Sequence, residues 1–183
     1  MRAGLFHSLA ALARYPGEDY FSHLQAALAA APESQPLLDF AALVAPESLT
    51  GLQALYTKTF DLNPVCAPEL GWHLFGETYE RGAFLVRMRQ ELRDHNIAEG
   101  SELPDHVACA LELVSNMPPE PAEYFVLACF APALHKMLRA IPEENAFRPL
   151  LLAIRESLEE AFPAARETEV PVTLTVLNEG AME

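Results

Sequence analysis

Positive charge is scarce in this sequence: 12 Lys and Arg stand against 26 Asp and Glu over 183 residues, a formal net charge of −14. A phosphate backbone is held by clustered Lys and Arg, so nucleic acid is excluded as a partner, and an anionic membrane surface with it. The balance leaves two readings open. It attracts a basic partner by electrostatic steering, or it only keeps the protein soluble. Long apolar runs are also missing. The longest, Tyr124 to Leu134, falls well short of the roughly 20 residues that cross a bilayer. The apolar N-terminus meets Arg14 and then Glu18-Asp19 too soon for a secretory core and cleavage site, so no export signal is expected. Only three cysteines occur, Cys66, Cys109 and Cys129, with no CxxC spacing. They read as buried thiols in a reducing cytoplasm.

Catalytic and metal-binding signatures are absent as well. The chain has no G-x-S-x-G, no P-loop and no H-E-x-x-H. A metal needs three or four converging ligands. Here His73 and Glu77 stand four apart, and His95, Asp105 and His106 follow at a distance. A small metal-dependent helical hydrolase using His73, Glu77 and His106 is the enzymatic alternative. A structural helical adaptor is another. The preferred reading is a binding protein without catalytic residues, metal or cofactor.

What the chain does have is apolar content, 51%, enough for a folded core rather than disorder. Its length suits one domain. Helical periodicity runs almost throughout, so an all-α, single-domain helical bundle is expected over residues 1–165. Leu5 to Ala13, Tyr20 to Leu28 and Leu37 to Val44 mark three helices. Pro46 suits the first turn of a fourth, with Leu49 to Phe60 along one face. Pro64 and Pro68 break the next stretch. A short helical piece carries Trp72, Leu74 and Phe75. A long helix follows over Thr78 to Ala98, another over Asp105 to Met117. The helix over Ala122 to Ile141 is apolar nearly all round, hence central and buried, with a kink expected at Pro132. A last amphipathic helix spans Asn145 to Phe162. Residues 166–183 form an extended tail, in which Val170, Val172, Leu174 and Val176 alternate like a strand.

Two features between Tyr56 and His106 exceed the needs of a helical core. If the helix after Thr78 extends back one turn, Glu77 and Arg81 pair four apart on its apolar face. That pair is either a structural stitch or a ligand contact. His106 sits in the middle of an apolar arc, straight after the Leu103-Pro104-Asp105 turn. It is either a satisfied core histidine or a groove residue. Asp105, in the first helical turn, favours the helix dipole. Asp61 is a helix-end residue or a groove carboxylate, and Tyr56 and Phe60 read as core. Together these residues suggest a groove with apolar and acidic walls, suited to a basic amphipathic peptide.

Three motifs now carry a resemblance. Y-x-x-T-F-D-L at Tyr56 to Leu62, G-E-x-Y-x-R-G at Gly76 to Gly82, and L-P-D-H at Leu103 to His106 resemble the NarJ branch of the NarJ/TorD/DmsD redox-enzyme maturation chaperones. The likeness extends from Arg14-Tyr15-Pro16 to about Met117. It implies the all-helical fold of those chaperones and a cytoplasmic role in assembling a molybdenum enzyme. The implied client is the catalytic subunit of a nitrate reductase or another dimethyl sulfoxide reductase relative. Its N-terminal segment would be bound until the molybdenum cofactor is inserted, with molybdenum cofactor biosynthesis proteins as further partners. By the same resemblance Asp61, Leu103, Pro104, Asp105 and His106 line the peptide groove, and Tyr56, Phe60, Glu77 and Arg81 support it. Some relatives swap helices, so either a monomer or a homodimer is consistent with it.

Overall fold

Ten α-helical segments, two widened π turns and two short 3₁₀ turns make up the computed structural model, which describes residues 2–98 and 100–167. The expected all-α architecture is what the chain adopts. Among the described residues extended pairing is confined to one isolated antiparallel bridge, Glu69 with His106. None of the described helices is long and apolar enough to cross a membrane. The expected strand at Val170 to Val176 lies outside the described residues.

α1 (Arg2–Leu12) packs against α2 (Tyr20–Ala30) and α7 (Val107–Asn116). α10 (Arg148–Ala161) packs against α3 (Gln35–Val44) and α9 (Ala131–Ala140). The core between them holds Leu9, Leu12, Phe40, Leu52, Leu111, Phe130 and Phe147, all buried. Apolar burial decides this packing. α10 buries Leu150, Leu151, Ile154 and Leu158, each worth roughly 1.5–3 kcal/mol. Its half-exposed Arg155–Glu159 pair at 3.5 Å adds no more than about 0.5 kcal/mol.

Four local expectations are corrected. α4 runs Leu49–Tyr56, and Ser48 caps it by accepting the Gly51 N–H at 3.1 Å. Pro46 therefore lies in the preceding turn, because a serine cap competes better for the exposed amides than proline. α5 (Leu70–Phe75) stops at Gly76, whose φ of +62° ends the helix and whose N–H bonds Trp72 O at 2.8 Å. α6 then starts afresh at Tyr79 and ends at Asp94. Glu77 stands exposed in the junction, so it does not join the helix or pair with Arg81 there. The single helix expected through Pro132 is divided by a π turn. α8 (Pro119–Phe125) passes through the π turn Val126–Phe130 into α9, where Pro132 sits in the first turn. A widened turn removes the carbonyl that the proline ring would otherwise strike. Finally, α7 begins at Val107, so Asp105 precedes the helix instead of occupying its first turn.

Candidate functional site

The Leu103–His106 turn is the joint on which the site is built. Leu103 O accepts the His106 N–H at 3.0 Å, with Pro104 at the position where its fixed φ favours such a turn. The turn lies antiparallel to Pro68–Leu70. Leu70 N–H donates to Asp105 O at 2.9 Å, and Val107 N–H to Pro68 O at 2.8 Å. The Asp105 carboxylate completes the join, with Oδ2 accepting the Gly71 N–H at 2.9 Å. Main chain and side chain of Asp105 thus occupy two of the free amides at the start of α5, an end that its own Glu69 does not cap. A six-residue helix is too short to persist alone, so α5 depends on this graft.

His106 is 0% exposed and reaches the other way. Its Nδ1 accepts the Ala108 N–H at 3.0 Å, which places the ring proton on Nε2. Nε2 lies 3.2 Å from the Tyr56 hydroxyl, and that hydroxyl lies 3.3 Å from Ala13 O. The proton order is then fixed: Nε2–H donates to Tyr56 Oη, and Tyr56 O–H donates to Ala13 O. Burial, with Arg14 adding to it, pushes the imidazole down to about 3. Glu102 Oε2 is 4.0 Å from Nε2, but the ring is neutral near pH 7 and this contact is not an ion pair. Burial, followed by the charges of Glu102, Asp61 and Glu69, raises the Tyr56 phenol well above its ordinary range.

Above this buried scaffold lies an open groove of about 310 Å³. Phe60, Asp61, Pro64, Ala67, Pro68, Glu69, Trp72, Arg81 and Leu103 line it. The π turn Thr57–Asp61 continues α4 and sets Asp61 exposed at the rim, with Phe60 beneath, its ring 4.9 Å from Tyr56 and 5.3 Å from Phe147. Exposed Leu62 and Val65 follow Asp61 in the chain. Across the groove, the Arg81 guanidinium lies 5.4 Å from the Trp72 ring centroid, within cation–π range. Burial, and then Asp105, raise the Glu69 carboxyl, against which Arg81 acts. Burial raises Asp105 too, opposed by the Gly71 amide and Arg81. Arg81 Nε and Asp105 Oδ1 are buried atoms without a hydrogen bond. Both residues flank Gly71, where an added Cβ would stand 2.7 Å from Asp105 Oδ2, 2.9 Å from Phe84 and 3.4 Å from Arg81 Cγ.

The structure therefore brings Phe60, Asp61, Arg81 and Leu103 into the lining of one groove. Tyr56, Pro104, Asp105 and His106 lie buried behind it, and Glu77 points away in the α5–α6 junction. Glu69 and Trp72 were not singled out from the sequence as site residues. The available signal was Pro68-Glu69 opening a short helix one turn before its aromatic residue. A wider hollow of about 620 Å³ lies elsewhere, with Glu33, Ser34, Glu156 and Glu160 on its walls. Ser34 Oγ already donates to Glu156 there, and none of the motif residues reaches it.

The His73, Glu77 and His106 set of the metal-dependent alternative does not come together. Among the described residues no three His, Cys, Asp or Glu side chains form a group able to hold a metal ion. His73 Nε2 is 2.6 Å from Ala67 O, Glu77 is exposed and His106 is enclosed. The hydrolase alternative loses its ligand set by geometry.

The family model for the nitrate reductase delta subunit matches residues 23–139. Among solved structures, a crystal structure described as a redox enzyme maturation protein from Archaeoglobus fulgidus is similar, with 26% identity and a TM-score of 0.61. The match covers 87% of this chain and 94% of that one. No curated protein matches the sequence.

Proposed function

From the premise that this chain belongs to the nitrate reductase delta subunit family, we propose that it is an assembly chaperone for a molybdenum-containing oxidoreductase. It works in the cytoplasm and binds the N-terminal segment of the catalytic subunit until the molybdenum cofactor is inserted. It is a binding protein that turns nothing over. The observation that carries this reading is the groove at the meeting point of the three sequence motifs, with acidic and apolar walls.

Asp61 and Glu69 supply negative charge to the groove, and Phe60, Trp72 and Leu103 supply apolar surface. A peptide carrying Lys or Arg next to apolar side chains satisfies both. Such a segment gains by burying apolar area and by pairing charge where water is partly excluded. Trp72 adds a ring face for a cation. Pro104, Asp105 and His106 act from behind. Asp105 fixes α5, and with it Glu69 and Trp72. His106 fixes Tyr56, on which Phe60 rests.

Calorimetric titration with a synthetic peptide of a molybdoenzyme catalytic subunit's N-terminal segment tests this. Saturable binding at one peptide per chain is expected, weakened by salt and at least tenfold by Asp61→Asn with Glu69→Gln. A folded protein that binds no such peptide overturns the proposal.

A further inference from the structure

Arg81 lines the groove without being fully satisfied there. It stands in the first turn of α6. Its stem passes Gly71, with Cγ 3.4 Å from where a Cβ on that glycine would stand, and Asp105 Oδ2 is 2.7 Å from the same point. Its guanidinium ends 5.4 Å from the Trp72 ring centroid. Its charge opposes the rise of both the Glu69 and the Asp105 carboxyl. Yet Arg81 Nε is buried with no hydrogen bond, and so is Oδ1 of Asp105, a residue 0% exposed. A donor and an acceptor left open around one glycine each cost stability. They mark a cation site whose present occupant, tethered to α6, cannot turn to fill it.

We propose that Trp72, Glu69 and Asp105 form a seat for a guanidinium, that Arg81 fills this seat in the unbound protein, and that an arginine side chain of the bound segment takes it over. The ligand class follows from the geometry. A ring face beside carboxylates suits a planar, weakly hydrated cation better than a compact ammonium. An arginine on a flexible segment can turn its fork of five donors to meet the acceptor that Arg81 leaves open. Arg81 in turn has somewhere to go. Thr78, Tyr79, Glu80 and Gly82 around it are exposed, so the displaced side chain passes into water and regains rotamer freedom. The resident cation also sets a threshold. A seat that is mostly filled takes an incoming cation with an affinity reduced by the fraction of time it stands open. A lone cation is therefore refused, and a cation carried beside apolar anchors is accepted. The inference rests on the groove being the peptide site of the proposed reading, and it names the side chain that the groove selects.

Trp72 is the chain's single tryptophan, so its emission reports on the seat. Titration of the full chain with N-acetyl-arginine amide, followed by that emission, tests the proposal. Arg81→Gln keeps a stem beside Gly71 and removes the charge. It is expected to bind the probe about tenfold more tightly than the parent, and adding Glu69→Gln should abolish the gain. The lysine counterpart of the probe should gain less. Far-UV circular dichroism checks that each variant folds. If Arg81→Gln does not fold, Arg81→Lys takes its place: its more strongly hydrated ammonium leaves the ring more readily, for a gain of about threefold. The proposal is overturned if the folded variant binds the probe no more tightly than the parent, or if the gain survives Glu69→Gln. The client reading is judged apart from it. A gain for the probe with no client peptide bound keeps the seat and removes the client, whereas a bound client peptide with no gain for the probe removes the seat.

Discussion

Asp105 and His106 are neighbours with opposite electrostatic duties. His106 is held neutral: its folded-state value lies near 3 against an ordinary 6.5. A depressed value contributes stability that is present above pH 6.5 and lost as pH falls toward 3. The loss is on the order of 5 kcal/mol at the acid end. His106→Gln, an uncharged replacement, is expected to flatten the stability–pH profile between about pH 6 and 4, as measured by urea unfolding at a series of pH values. Asp105 has the reverse sign. Its raised carboxyl contributes most below the ordinary carboxylate range, and that share is lost as pH rises through its folded value. Asp105→Asn keeps an acceptor for the Gly71 N–H and relieves the buried charge, so its stability at pH 7 should stay within about 1 kcal/mol of the parent. Asp105→Ala leaves that amide without its acceptor and should cost about 1–3 kcal/mol. The sequence showed His106 on an apolar arc. It could not show which way the ring turns, because the partners, Tyr56 and Ala13, come from stretches 50 and 93 positions earlier in the chain.

At the scale of elements, α5 depends on its neighbours. It is six residues long and is positioned by the Leu103–His106 turn and the packing of α6. Gly71 is where these come together, and a methyl there meets both Asp105 Oδ2 and the buried Phe84 ring. Gly71→Ala should therefore cost about 1–3 kcal/mol as overpacking and displace Trp72 and Glu69. Thermal unfolding and peptide titration of the same variant should both register the change, while Gly82→Ala, in open space, should leave binding unaltered. The regular helices were legible because their apolar spacing is strong. Two kinds of feature were not. The conditional extension of the long helix back to Glu77 stops short at Gly76, since one glycine inside a helical pattern is tolerated as often as it terminates. The π turns at Thr57–Asp61 and Val126–Phe130 leave no mark on apolar periodicity beyond one extra residue. The first of them nonetheless sets where Asp61 stands.

For the molecule as a whole, charge and groove act together. The groove's Glu69 is raised by burial and by Asp105, so it takes up a proton earlier on acidification than an ordinary glutamate. Affinity for a basic peptide should fall as pH is lowered through that raised range, before the surface carboxylates titrate. Fluorescence titration of a labelled peptide at falling pH, in the parent and in Glu69→Gln, would show it. Affinity unchanged over that range, with binding intact at pH 7.5, would remove Glu69 from the contact set. The all-α class and the single helical body were legible in composition and spacing. The groove was half legible: Phe60, Asp61, Arg81 and Leu103 were identified, and Glu69 and Trp72 were not, because a short helix gives little periodicity from which to infer what its side chains face.

The hydrogen-bonded line from His106 through Tyr56 to Ala13 also sets an order of assembly. Its two links span 50 and 43 positions, and long loops must close before such contacts form. A nascent chain that has not yet emerged as far as His106 has no groove floor, however well its first four helices have formed. The groove thus matures only after more than half of the polypeptide has been made. No fragment cut between Tyr56 and Leu103 should retain peptide binding.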